Sequence, residues 1–184
     1  MSQKMPKQML RALESHDRTG GIIRPALRAD LPALKAVIEA TGLFPPEMLG
    51  EMISGYLGGT AGNEFWLTID DGGPVAVSYC APEAMTSGTW NLYLIAVHPD
   101  CQGNGRGAAL LRHIERALTA RGERVLLVET SGLPEFERTR AFYRRCGYAE
   151  EARVRDFYAA GEDKVIFWKS LGPSAPAEAP HNAD

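Results

Sequence analysis

The residues with the clearest chemical potential lie between Leu92 and Leu118. A nearly all-apolar run, Trp90 to Val97, leads into His98-Pro99-Asp100-Cys101 and then Gln102-Gly103-Asn104-Gly105-Arg106-Gly107-Ala108, after which apolar residues recur at helical spacing. Gly103, Gly105 and Gly107 alternate directly at the start of that helix. Glycine admits backbone conformations closed to other residues and puts no side chain between chain and ligand, so successive N–H groups can converge on an anion. A helix opening near Gly105 adds its unpaired first-turn N–H groups and the positive end of its dipole. The segment therefore reads as an anion site able to take a pyrophosphate, rather than as a turn that only redirects the chain.

Other phosphate-binding and catalytic arrangements fit less well. The glycines satisfy the spacing G-x-G-x-x-G/A of dinucleotide-binding folds, and Glu129 could meet a ribose. In those folds the glycines follow the strand almost at once, whereas five residues, including Pro99, separate Val97 from Gly103. About 55 residues remain after Glu129, too few for the second half of such a sheet. A Walker loop is excluded because no Gly-Lys-Ser/Thr follows. Cys80, Cys101 and Cys146 are scattered without a CxxC pair, which predicts reduced thiols and neither a disulfide framework nor a metal site. His98 has no visible metal or triad partner and is expected at the surface.

The elements that must position the glycine turn can be read from periodicity. A short strand at Ile22-Ile23-Arg24 precedes a helix carrying Leu31, Leu34, Val37 and Ile38, with Asp30 as its expected N-cap. Met48, Leu49, Met52, Ile53 and Leu57 define a second helix. Strands at 64–69 and 75–80 are joined by the hairpin signal Asp70-Asp71-Gly72-Gly73-Pro74. Trp90 to Val97 is expected to be a central strand covered on both faces. The helix after the glycines carries Leu110, Leu111, Ile114, Ala117 and Leu118 inward, with Arg112, Glu115 and Arg116 outward. A strand at 125–129, a helix at 139–146 and a β-pair at 152–158 and 164–170 complete the order β-α-α-β-β-β-α-β-α-β-β. This is a mixed α/β (α+β) fold, with a sheet of about six or seven strands and about four helices.

With 184 residues, 45% hydrophobic and 23% charged, the chain suits one compact domain. Residues 21–171 form the expected domain, 1–20 an N-terminal tail and the Pro/Ala-rich 172–184 a disordered C-terminal tail. A formal net charge of −3 argues against a nucleic-acid partner. The longest apolar stretch, Leu92 to Val97, falls far short of the roughly 20 residues of a membrane span. The start of the chain is basic without the apolar core of a secretory signal, which predicts a cytoplasmic protein.

Gln102-x-x-Gly105-x-Gly107, after a strand ending Ile95-Ala96-Val97 and opening a helix, resembles motif A of the GNAT superfamily of acetyl-CoA-dependent N-acetyltransferases. Arg140-Ala141-Phe142-Tyr143-Arg144-Arg145-Cys146-Gly147-Tyr148 resembles the family's later helix, and the likeness spans roughly residues 22–171. Asp156-Phe157-Tyr158 with Gly161-Glu162-Asp163 is similar to the C-terminal hairpin of RimI-like members, which acetylate protein N-termini. The resemblance implies a GNAT fold in which the motif A strand splays from its neighbour to admit the pantetheine arm. It further implies that the backbones of Ile95, Ala96 and Val97 hold the pantetheine amides and the acetyl carbonyl. Gln102, Gly103, Asn104, Gly105, Arg106, Gly107 and Ala108 would form the pyrophosphate site, with Arg106 as a solvent-side phosphate contact and the Val97 N–H as oxyanion donor.

By the same likeness Tyr143 stands at the position of the general acid and Glu129 at that of the base, with a water relay as the other route for the amine proton. The cosubstrate is acetyl-CoA, no metal is needed, and the acceptor is a small-molecule or peptide amine. Phe136 occupies the place where the family usually carries Asn. Glu135, Glu137, Tyr93 and Tyr158 are candidates for the amine site, bordered by residues 43–60, 83–89, 131–138 and 157–163. A homodimer is compatible with the sequence. A non-catalytic acyl-CoA-binding module on the same fold is the alternative function.

Overall fold

The computed structural model describes residues 15–16, 20–60 and 62–172; the rest of the two expected tails lies outside the described residues. The chain forms β1 (Ser15–His16), β2 (Ile22–Pro25), α1 (Leu31–Thr41), α2 (Met48–Gly58), β3 (Phe65–Asp70), β4 (Pro74–Pro82), β5 (Thr89–Val97), α3 (Arg106–Ala120), β6 (Val125–Ser131), α4 (Glu137–Arg145), β7 (Ala149–Ala159) and β8 (Glu162–Ser170). From β2 onward this is the order expected from the sequence. The two residues of β1 fall inside the stretch assigned to the N-terminal tail and pair antiparallel with Ile22 and Ile23.

The strands make one mixed sheet in the order β1-β2-β3-β4-β5-β6-β8-β7, in which β5 and β6 are the parallel pair. The helices divide between its faces. On one, Leu110, Leu111, Ile114 and Leu118 of α3 and Tyr143 of α4 pack on Trp90, Leu92, Leu126, Val128 and Phe167. On the other, Leu34, Val37 and Ile38 of α1 and Leu49 and Ile53 of α2 pack on Trp66, Val77, Leu94 and Ala96.

Simple alternation would put Leu92 and Leu94 on the same face. They lie on opposite faces because β5 is bulged. Tyr79 of β4 stands opposite Leu94 and Cys80 opposite Leu92, which leaves Tyr93 as the extra residue. The pairing of β5 with β6 stops at the same point, running only from Thr89–Val125 to Leu92–Val128. Beyond it β5 continues to Val97 and β6 to Ser131 with a wedge between them. The bulge also corrects the expectation of a strand covered on both faces, since Tyr93 is half-exposed and Ile95 half-buried.

Asp30 is not the side-chain cap of α1. It closes a 3-10 turn, Arg28–Asp30, with helical backbone angles of its own. Its carboxylate accepts the Leu27 N–H at 2.7 Å and both terminal nitrogens of Arg24 at 2.7 and 2.9 Å, while Arg24 reaches Asp70 as well. Burial opposes ionisation of Asp30, but the guanidinium and the N–H outweigh it and hold the carboxyl below its usual range.

Candidate active site

The glycine turn is built as its spacing suggests. Gly103 and Gly105 have φ of +81° and +77°, the left-handed region in which a side chain is strained. Gly105 caps α3 without a side-chain hydrogen bond to its first turn, and the helical bonding begins with Ala109 N–H to the Gly105 carbonyl at 2.9 Å. The amides of Arg106, Gly107 and Ala108 therefore have no intrahelical acceptor and point out of the helix start. Gly107 differs: a methyl group there would meet the Phe142 ring at 3.5 Å, an ordinary contact. Gln102 Nε2 donates to the Val97 carbonyl at 2.9 Å and ties the turn to the end of β5.

Register fixes which backbone groups of β5 face the wedge. The His98 N–H donates to the Val75 carbonyl at 2.9 Å, and Val97 stands opposite Ala76. In an antiparallel ladder the bonded pairs alternate, so Ala96 turns its N–H and C=O toward β4 while Ile95 and Val97 turn theirs toward the wedge. Of the three residues expected to hold the pantetheine arm, Ala96 is thus directed away from it.

A cavity of about 770 Å³ runs from this edge to α4. It is lined by Ile95, Val97, Gln102, Gly103, Gly105, Arg106, Gly107 and Ala108 of the expected set, together with Phe142 and Tyr143. Asn104 is exposed and lies outside the lining. Arg106 is only 8% exposed, and its guanidinium pairs with Asp71 and donates to the Cys101 carbonyl at 3.3 Å. The expected solvent-side phosphate contact is therefore a buried clamp between the turn and the β3–β4 hairpin.

Besides Lys169, which is paired with Glu115 at 2.9 Å, three arginines that the sequence reading did not assign to the pyrophosphate site, Arg112, Arg138 and Arg145, also line the cavity. None has a carboxylate partner among the described residues. Arg112 sits on the outward face of α3, and that face borders the cavity near the glycine turn. The seven-residue spacing of Arg138 and Arg145, two turns on one face of α4, was the available signal.

Tyr143 lies on α4 and is 4% exposed. Its ring sits among Phe142, Phe167 and Tyr148 at centroid distances of 5.2, 5.4 and 6.0 Å. Its hydroxyl has no hydrogen-bond partner among the described residues, and burial pushes the phenol well above its ordinary pKa. Glu129 belongs to the opposite face, since Val128 before it points into the α3/α4 core. Glu129 Oε1 accepts from Asn91 Nδ2 at 3.3 Å and Oε2 from Lys164 Nζ at 3.1 Å. The two expected catalytic residues approach the wedge from opposite sides of the sheet.

The remaining candidates separate. Glu137 is paired with Arg140 at 2.8 Å and Arg144 at 2.9 Å, so it is an anchor of α4 rather than a group facing an amine. Arg140, itself buried, also donates to the carbonyls of Ser131 and Leu133 and so fixes the loop ahead of the helix. Glu135 is exposed and Phe136 half-buried in the 3-10 turn of that loop. Tyr93 stacks on Tyr79 at 5.5 Å and donates to Glu83 Oε1 at 3.0 Å. Burial, the Glu83 bond and the Glu129 charge raise its phenol to about 12. Tyr158 is half-exposed where four residues of β7, 155–158, stand against Asp163 alone.

A second recess, of about 360 Å³, opens over Tyr79 and Tyr93 and is bordered by Gly62, Asn63, Glu64, Ala81 and Pro82. Except for Tyr93, none of these was anticipated at the amine site. Among the described residues no His, Cys, Asp and Glu cluster could hold a metal, and no helix is long and apolar enough to cross a membrane.

The fold that carries this wedge has counterparts in known proteins. A family model described as an acetyltransferase (GNAT) domain matches residues 61–150. A chain from Desulfovibrio desulfuricans assigned to the GNAT family is 32% identical, with a TM-score of 0.76 over 82% of this chain and 98% of its own. The ribosomal-protein-S18-alanine N-acetyltransferase of Escherichia coli shares the fold at 24% identity and a TM-score of 0.66, over 86% of this chain and 99% of its own. So does the protein yncA of Salmonella typhimurium, solved with its cofactor acetyl-CoA, at 16% identity and 0.65, over 89% and 99%. A search of curated proteins gave no match. The chain belongs to the GNAT superfamily of acetyltransferases.

Proposed function

We propose that the protein is an acetyl-CoA-dependent N-acetyltransferase that acts on a primary amine by direct attack, within a domain spanning residues 21–171 and in the cytoplasm. The observation that carries this reading is the wedge itself, where the outward-facing amides of Ile95 and Val97, the first turn of α3 and Tyr143 border one cavity. An extended amide chain can add to the free edge of β5 as a further strand would. A pyrophosphate suits the amides of residues 106–108, and Arg112, Arg138 and Arg145 add positive charge around it.

Acetyl-CoA supplies an acetyl thioester. The amine nitrogen bonds to its carbonyl carbon, the C–S bond breaks, one proton leaves the nitrogen and one is returned to sulfur. The Val97 N–H donates to the oxygen on which charge develops. Tyr143, kept protonated by its raised pKa, donates to the departing sulfur. Most simple amines, with pKa near 10, are protonated at neutral pH, so the nitrogen must first lose a proton. Glu129, directly or through water, takes it from the other face of the sheet.

A screen for CoA release over small amines, amino acids and N-terminal peptides tests the reading. Release that depends on both acetyl-CoA and an amine, with N-acetylated product, is expected. Binding of acetyl-CoA with no turnover on any amine would instead make the chain a binding module.

A further inference from the structure

The face of the sheet opposite the large cavity holds more hydrogen-bond acceptors than the described residues satisfy. Glu64, just before β3, accepts from Tyr79 OH at 3.4 Å. Glu83, just after β4, accepts from Tyr93 OH at 3.0 Å and from Asn91 Nδ2 at 2.9 Å. Asn91 also reaches Glu129 on β6. Of the three carboxylates only Glu129 has a cationic partner among the described residues, namely Lys164. Asn91 is 1% exposed; its Nδ2 bridges Glu83 and Glu129, and its Oδ1 has no donor among the described residues.

Aromatic rings form the floor of this strip. Trp66 stacks on Tyr79 at 4.4 Å and Tyr79 on Tyr93 at 5.5 Å, and the last ring is 51% exposed. The recess of about 360 Å³ lies over Tyr79 and Tyr93, with Glu64 in its wall. Ring faces and carboxylates both attract a cation. An ammonium brings three N–H donors and a guanidinium five, which matches the surplus of acceptors.

The cation that fits here is not the nitrogen that reacts. Carboxylates stabilise the charged form of an amine, whereas attack needs the neutral form. Tyr93 also precedes Ile95 by two residues and Val97 by four, or about 7 and about 13 Å at the rise of a strand. Building on the N-acetyltransferase reading, we propose that the acceptor carries a second cationic group. That group, an ammonium or guanidinium, sits over the Tyr79–Tyr93 stack between Glu64 and Glu83, while the reacting amine lies at the wedge beside Glu129. A spacing of about six bonds between the two nitrogens spans the shorter distance.

The test compares 1,5-diaminopentane with pentylamine in the wild type and in a Glu64→Gln/Glu83→Gln double variant. Stabilisation by acetyl-CoA in a thermal melt serves as the folding check. The wild type should favour the diamine by at least about tenfold in kcat/KM, mainly through KM, and the double variant should lose most of that preference. Equal kcat/KM for the two amines, or a preference untouched by the substitutions, overturns the proposal. Calorimetry on CoA-saturated protein reads the cation site without turnover. Diamine binding that weakens about tenfold in the double variant supports the proposal even without CoA release, in which case the N-acetyltransferase reading alone fails. Absence of diamine binding by an enzyme that turns over pentylamine overturns the proposal alone, and absence of both overturns both.

Discussion

The two faces of the sheet at the β5–β6 wedge carry opposite chemistry. On the α3/α4 face the cavity is rimmed by the backbone amides at the start of α3, by the Glu115–Lys169 pair and by Arg112, Arg138 and Arg145, which have no carboxylate partner among the described residues. On the α1/α2 face the strip is made of Glu64, Glu83 and Glu129, with Lys164 as the one cation paired to them among the described residues, over a stack of three aromatic rings. One side is prepared for a polyanion and the other for a cation. On the proposed reading, two substrates of opposite charge would be steered to opposite faces and meet where the strands part, with the bulge at Tyr93 turning the backbone between them.

The largest effect should come from removing the backbone conformation on the anionic-ligand side. Gly105→Val forces a β-branched residue to φ near +77°, and the displaced turn should raise the KM for acetyl-CoA by more than tenfold, measured by steady-state kinetics. An unchanged KM would mean that the amides after Gly105 do not hold the ligand. Next, Arg112→Ala/Arg145→Ala should weaken CoA about tenfold and flatten the dependence of its Kd on ionic strength, while the KM for the amine moves little. A like shift in both constants would break the division of charge between the faces.

The correction at Arg106 predicts a smaller effect of a different kind. Asp71→Asn, in a residue outside the cavity lining, should lower stability by about 1 kcal/mol in denaturant titrations, since Asp71 is 42% exposed and the new amide can still accept from the guanidinium. It should leave the salt dependence of CoA binding as it is. The last test is remote from both faces and is read from the pH dependence. The Asp30 carboxyl is held below its ordinary pKa near 3.8, so its contribution to stability is complete above that value and is lost as pH falls through the lower folded-state pKa. Relative to wild type, Asp30→Asn should therefore show a flatter fall of Tm on acidification below about pH 4.

The difference between the two faces also explains what could be read from the sequence. The donor side is local: Gly103 and Gly105 sit within a few residues of the strand and helix they join, and the apolar spacing of Leu110, Leu111, Ile114 and Leu118 announces the helix. The acceptor side is not. Glu64, Glu83 and Glu129 come from three separated segments and form no run, and their proximity depends on the register of β3, β4, β5 and β6. The bulge at Tyr93 left no mark on an apolar string, yet it decides which residues of β5 face each helix layer. Arg106 misled because a charged residue in a first turn beside glycines suggests a phosphate contact, whereas Asp71, 35 residues earlier, takes its guanidinium.

The central claim is acetyl transfer to an amine at this wedge with Tyr143 donating to the leaving sulfur, and Tyr143→Phe tests it most directly because the ring and its packing are kept. Measured across pH by CoA release with a saturating amine, kcat should fall about 100-fold or more while the affinity for acetyl-CoA holds. Because burial raises the phenol's pKa, the wild type should show no loss of kcat from Tyr143 ionisation up to at least pH 10. Turnover by the Phe variant equal to wild type, at any pH in that range, would contradict the account.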